Sequence, residues 1–182
     1  MRTLAAAALC AALLAGCGGG GGDGGKAVAH VEDETITQEQ LEALVAHFRR
    51  EFQLEGRSFP KDGTRPFEQT RNELLRLLVY RVELKQAASR LGVEADANEI
   101  GKRLAASPGG EQKGNPGGDT FARDSVEAQL LTEGIFTKVT RGVTGATPAE
   151  TSARRNRKMS AFLARLRRET KVRYEPGYAP GS

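Results

Sequence analysis

The sequence predicts a mainly helical domain with two short β-strands, one near each end of the folded region. Apolar residues recur at intervals of three and four in several long segments, the spacing of one face of an α-helix. Two short β-prone segments, residues 27–31 and 171–174, flank this helical region. Trp is absent and aromatic residues make up 5% of the chain, so Leu, Val and Ala must supply most of the core. Such a composition suits helices.

The first 16 residues have the pattern of a signal peptide. Arg2 is positive, residues 4–14 form a short apolar run, and Ala15-Gly16 are the small residues that cleavage requires. This run is too short to span a bilayer, which takes about 20 apolar residues. Because Cys17 follows directly, the segment resembles a bacterial lipobox, which predicts a lipidated Cys17 at the mature N-terminus. An ordinary secretory signal with a chance cysteine is the alternative. We expect an exported protein on the extracytoplasmic face of a cell membrane.

Residues 17–25 comprise this cysteine and a glycine-rich flexible tether, so the folded domain should cover residues 26–175.

Capping signals define the helices of this domain. Thr37 and Gln40 form a T-x-x-Q capping box, and Asp96 with Glu99 forms a second capping pair. Gly92 has the position of a left-handed helix cap. The predicted elements are a strand at 27–31, a helix from Thr37, a loop at 56–66, helices at 67–91 and 96–106, a mobile loop at 107–118, helices at 121–141 and 147–169, a strand at 171–174 and a flexible tail at 176–182.

Two of these segments carry further sequence signals. Gly134 interrupts the helix at 121–141 and is expected to be its weak point. The last helix begins with Thr147 as its cap, Pro148 at the first helical position and Glu150 at the third. Both assignments come from local chemistry alone.

No pattern of catalytic or metal-binding residues stands out. Once the signal peptide is removed, Cys17 is the sole cysteine, so no disulfide or thiolate metal site is expected. The two histidines, His30 and His47, are interpreted as packing or surface residues, and no metal or cofactor is predicted. The glycine clusters lack a phosphate-binding motif. The basic cluster 154–158 is either a solvated helix face or a surface for anionic lipid or a polyanion. Nucleic acid is not an expected partner of an exported chain.

Several segments, taken in order, resemble the SurA-type chaperone domain that is shared with PrsA-like foldases. Residues 28–37, VAHVEDETIT, are similar to the family's opening strand, turn and helix start, although the usual Asn-Gly turn is replaced by Glu32-Asp33. Residues 74–100 resemble its long helix, its "lgv" corner and its capped acidic helix. Residues 162–174 resemble its last helix and strand. The resemblance implies a helical SurA-N-like chaperone domain in which the strands at 27–31 and 171–174 pair.

Many members of this family also carry a parvulin-type prolyl isomerase domain of roughly a hundred residues before the last helix. Here residues 142–146 alone separate the two last helices, so no such domain fits, and the histidines are not placed to form its site. The resemblance therefore implies a chaperone without isomerase activity.

The leading hypothesis is a membrane-anchored, ATP-independent holdase that binds unfolded or nascent exported polypeptides in an apolar helical groove. Aromatic residues beside the flexible loops are the candidate peptide contacts, although ordinary core packing also explains them: Phe52, Phe59, Phe67 and Phe121. A structural or adaptor lipoprotein that binds one folded envelope partner is the first alternative, and a peptidyl-prolyl isomerase is the second. The sequence specifies neither the clients nor the oligomeric state.

Overall fold

The computed structural model describes residues 25–106 and 118–179. The predicted signal peptide, Cys17, the tether up to residue 24, most of the predicted loop (107–117) and the last three residues lie outside these ranges. The elements within them are β1 (Ala27–Val31), β2 (Glu34–Thr37), α1 (Gln38–Leu54), α2 (Arg65–Leu91), α3 (Ala97–Ala106), α4 (Gly118–Thr140), α5 (Pro148–Glu169) and β3 (Val172–Tyr174).

The small sheet joins the two ends of the folded region, as predicted. Its strand order is β2-β1-β3, and both neighbouring pairs are antiparallel. In the β1–β3 pair, Ala29 lies opposite Tyr174 and Val31 lies opposite Val172. This is the predicted pairing of 27–31 with 171–174. The third strand, β2, is not predicted by the sequence, which indicates a turn at 32–34 and no strand between that turn and the helix that begins at Thr37.

The turn between β1 and β2 contains the position at which this sequence departs from the usual Asn-Gly. Glu32 has a φ of +52°, in the left-handed region that residues with a side chain rarely adopt. Two hydrogen bonds hold it there: the Glu32 N–H donates to the Lys171 carbonyl (2.9 Å), and the Lys171 N–H donates to the Glu32 carboxylate (3.0 Å). The turn is therefore tied to the segment that leads into β3.

Most of the predicted helix signals are confirmed. The Thr37 hydroxyl accepts from the Gln40 N–H (3.3 Å), and the Gln40 side chain accepts from the Thr37 N–H (2.9 Å), which completes the capping box of α1. Gly92 ends α2 with a φ of +60°. Thr147 caps α5, with Pro148 in the first turn. The helix α2 begins two residues earlier than expected, because Thr64 caps it and Pro66 falls in its first turn.

The helices and the sheet bury two apolar clusters, which meet along α2. The first contains the sheet, α1 and the first half of α2: Val28, Ala29, Val31, Ile36, Leu41, Leu44, Val45, Leu74, Leu75, Val79 and Val82. The second contains the last half of α2, α4 and α5: Leu84, Ala87, Ala88, Val93, Leu131, Ile135, Met159 and Leu166. Full burial of one Leu or Ile side chain stabilises the fold by about 1.5–3 kcal/mol. The long helix α2 is therefore the central element of both clusters.

Gly134 lies where α4 passes closest to the corner after α2. A Cβ atom placed on it would lie 2.4 Å from Cγ1 of Val93, which is buried. The absence of a side chain at Gly134 therefore permits this approach, and the residue that the sequence marked as a weak point is a packing requirement.

A buried carboxyl group lies where α2, α5 and β3 meet. Glu83 is 6% exposed. Burial raises the pKa of Glu83, and the positive charge of Arg167 on α5 opposes the rise. Burial, with a smaller contribution from Glu83, also raises the pKa of Tyr174 on β3.

Candidate peptide-binding groove

A groove with a volume of about 260 Å³ lies between α1, α2 and α4, next to the end of β2. Its apolar lining is Ile36, Ala43, Leu44, Leu78, Val82 and Phe121, and its polar lining is Glu34, Gln40, Arg81, Lys85, Thr120 and Asp124. An apolar cleft with a few polar groups is typical of binding sites that take an apolar side chain and orient the chain around it.

The helical repeat explains how the sequence builds this groove. On α2, Leu78, Val82 and Lys85 are three or four residues apart and therefore share one face. The Lys85 ammonium pairs with the Glu127 carboxylate of α4 at 3.0 Å. Apolar residues thus lie on the floor, while charged side chains meet at its edge.

Arg81 is the principal charged group in the groove and is 9% exposed. Its guanidinium donates to the Ser125 hydroxyl (3.0 Å) and lies 3.5 Å from the Asp124 carboxylate, both on α4. It also lies 4.7 Å from the ring centroid of Phe121. Burial lowers the pKa of Arg81, and Asp124 opposes the change. Arginine remains protonated at neutral pH, so Arg81 places a positive charge beside the apolar floor and links α2 to α4.

Phe121 belongs to a cluster of rings at the wall of the groove. The His47 ring centroid lies 4.2 Å from that of Phe121, and the Phe48 ring packs edge-on at 5.5 Å. Burial lowers the pKa of His47, so this imidazole is neutral at pH 7. Its Nδ1 is buried and has no hydrogen-bond partner among the described residues. His47 is thus a packing residue, in agreement with its sequence interpretation.

The four phenylalanines proposed as peptide contacts are not brought together. Phe121 lines the groove, whereas the other three form a separate aromatic cluster at the junction of α1 and α2. There the Phe52 and Phe59 rings are 5.4 Å apart, and the Phe59 and Phe67 rings are 6.4 Å apart. Arg57 stacks on the Phe52 ring at 4.2 Å. All four side chains are partly buried, so whether any of them binds peptide stays a prediction.

Several groove residues were not identified from the sequence as site residues. Leu44, Leu78 and Val82 follow the helical spacing of apolar residues, which predicts burial but does not distinguish a groove from a core. Arg81 carries a usable signal, because it is a cation inside the segment 77–84 (LLVYRVEL), in which Glu83 is the other charged residue. A cation that is buried must have ion-pair or hydrogen-bond partners, so such a residue marks a polar contact within the core.

The described residues contain no group of three or more His, Cys, Asp or Glu side chains that could hold a metal ion. His30 lies in β1, where its Nδ1 is 3.2 Å from the Thr35 hydroxyl and its Nε2 is 3.3 Å from the Glu175 carboxylate. Among the helices within residues 25–106 and 118–179, none is both long and apolar enough to cross a membrane.

The chain thus forms a helical domain in which the terminal strands pair. An apolar groove lies beside its long central helix. Residues 2–130 match the family described as the SurA-like N-terminal domain, and this chain belongs to that family. The matched part extends into α4, so α5 and β3 follow it. The family is of the chaperone type, and its extracytoplasmic members fit an envelope location for this chain. No curated protein and no solved structure matched the chain significantly.

Proposed function

We propose that this protein is an ATP-independent holdase, anchored to a membrane through Cys17, that binds unfolded exported polypeptides in the groove. The observation that carries the proposal is the apolar floor of the groove beside a buried positive charge, in a member of a chaperone-type family. An apolar client side chain would enter between Leu44, Leu78 and Phe121.

The chemistry of the groove fits weak and reversible binding. Its volume of about 260 Å³ suits one or two side chains rather than a folded surface. A client must leave in order to fold, so we expect dissociation constants near micromolar, about 8 kcal/mol of binding free energy. The Arg81 guanidinium, which already contacts Asp124, would also donate a hydrogen bond to a client carbonyl.

The connection between α4 and α5 supports a function without isomerase activity. Residues 141–147 form a short turn, in which the Gly145 N–H donates to the Thr151 hydroxyl (2.8 Å) and the Arg154 guanidinium donates to the Thr144 carbonyl (3.2 Å). A catalytic domain of about a hundred residues has no place there. We expect a proline-peptide isomerisation assay to give no rate above background.

The proposal is tested by aggregation of a reduced, unfolded client such as reduced α-lactalbumin, with the chain beginning at Gly18. Ala43→Arg places a long side chain in the groove from the exposed side of α1 and should abolish suppression of aggregation. Ala46→Arg is the matched control, since it makes the same change on the same helix, where residue 46 lines a different cavity. Circular dichroism checks that both variants are folded.

Three results would contradict the proposal. These are no suppression by the unmodified protein at several-fold excess, equal suppression by the two variants, or capture of one folded partner in a stoichiometric complex. The last would favour the adaptor lipoprotein.

A further inference from the structure

The exposed face of α5 carries an excess of positive charge that the groove does not use. Residues 151–168 contain seven Lys and Arg and no Asp or Glu. The whole chain has 27 basic against 23 acidic residues, so outside this stretch the acidic residues outnumber the basic ones by 23 to 20. The positive charge of the protein is therefore a property of one helix.

The helical repeat arranges five of these cations in two rows on the side opposite the core. Arg154 and Arg165 are eleven residues apart, as are Arg157 and Arg168; eleven residues are close to three turns, or about 16 Å. Lys158 lies one turn after Arg154. All five side chains are exposed. The opposite side of the helix is held against the bundle by Met159, Phe162, Leu163 and Leu166.

Few acidic groups neutralise this face. Arg154 pairs with Glu150 and Arg165 pairs with Glu169, at the two ends of the helix. Within the described part of the chain, Arg157, Lys158 and Arg168 have no ion-pair or hydrogen-bond partner. Arg157 and Lys158 in the middle of the face, and Arg168 near its C-terminal end, are thus available to an external anionic surface.

We propose that this face of α5, the basic face, binds the anionic headgroups of a membrane. Two observations favour a membrane over other polyanions. The rows are straight and exposed along a helix of 22 residues, so they match a flat charged surface. Ala161 lies between the rows, and Ala153 and Ala164 lie beside the row of Arg157 and Arg168, so headgroups can approach closely. No large apolar residue lies between the rows, so attachment is electrostatic, without insertion into the acyl chains. The inference depends neither on the holdase function nor on lipidation of Cys17.

The test compares the full-length protein on vesicles of phosphatidylcholine alone and on vesicles that also contain 30% phosphatidylglycerol, by co-sedimentation. A lipid anchor acts on both compositions, so the ratio of the two partition coefficients isolates the effect of charge. Each Lys or Arg near an anionic surface strengthens binding about fivefold. The triple variant Arg157→Gln, Lys158→Gln, Arg168→Gln should therefore lower the ratio by about a hundredfold at low salt. Raising the salt to about 0.5 M should abolish the preference of the unmodified protein.

The matched control is Arg90→Gln, Lys102→Gln, Arg123→Gln, which removes the same charge at three exposed positions on other helices. It should change the ratio by less than about threefold. Equal partitioning of the unmodified protein on the two vesicle types would overturn the proposal. So would equal losses in the two triple variants, which would indicate net charge alone. Tight binding to a DNA duplex without preference for anionic vesicles would identify a different polyanion and also overturn it.

Discussion

Substitution of Gly134 by alanine distinguishes two physical effects that change the free energy of unfolding in opposite directions. In an exposed helix interior, Gly→Ala stabilises by up to about 1 kcal/mol because alanine loses less conformational entropy. In α4, however, the new Cβ would lie 2.4 Å from Val93 Cγ1. Optimal carbon–carbon contact is about 3.5–4.0 Å, so the neighbours must separate by roughly 1 Å. Val93 is buried and β-branched, so its side chain has little freedom to rotate away.

We expect Gly134→Ala to destabilise the protein by about 1–3 kcal/mol, the usual cost of an overpacked core. Urea denaturation followed by circular dichroism measures this change. Val93→Ala removes the clashing methyl group and should itself cost about 1–2 kcal/mol. In that background Gly134→Ala should be neutral or stabilising, which gives a favourable coupling energy in the double-mutant cycle.

Gly101 provides the matched control, since it lies inside α3 and a Cβ there would have no neighbour within 4 Å. Gly101→Ala should stabilise the protein. If Gly134→Ala stabilised it equally, or if the two substitutions at Gly134 and Val93 were additive, the close approach of α4 to the corner would be refuted.

Two further changes test the sheet and its neighbours. Because burial raises the folded-state pKa of Glu83 above its ordinary 4.5, ionisation disfavours folding. The free energy of unfolding of the unmodified protein should therefore fall relative to that of Glu83→Gln as the pH rises above about 4.5; parallel pH profiles would contradict this. Thr37→Ala removes the acceptor for the Gln40 N–H and should lower the free energy of unfolding by about 1 kcal/mol. Urea denaturation measures this change, and an unchanged midpoint would contradict the prediction.

The parts of the fold that follow from local chemistry were predictable. A cap needs only a few consecutive residues, so Thr37, Gly92 and Thr147 marked helix ends correctly. Pairing of the terminal strands did not follow from spacing but was implied by the family resemblance. The strand β2 was missed because Glu32-Asp33 lacks the glycine that signals a tight hairpin, and the left-handed Glu32 is stabilised by Lys171 instead.

The candidate site was harder to predict, because it depends on which helices meet. All four phenylalanines had similar sequence surroundings, beside loops rich in Gly and Pro. The packing of α4 against α1 and α2 places Phe121 at the groove and leaves Phe52 and Phe59 in another cluster. The role of Arg81 also depends on Asp124 and Ser125, more than forty residues away along the chain.

The position of β3 has a consequence for biogenesis. The bond from the Lys171 N–H to Glu32 spans 139 residues, and β1 has β2 alone as a partner until that segment arrives. Synthesis delivers residues 172–174 after the other described elements of this domain, so the sheet gains its third strand only after α5 has been made. During synthesis, β1 therefore stays without its second neighbour until the segment after α5 has left the ribosome.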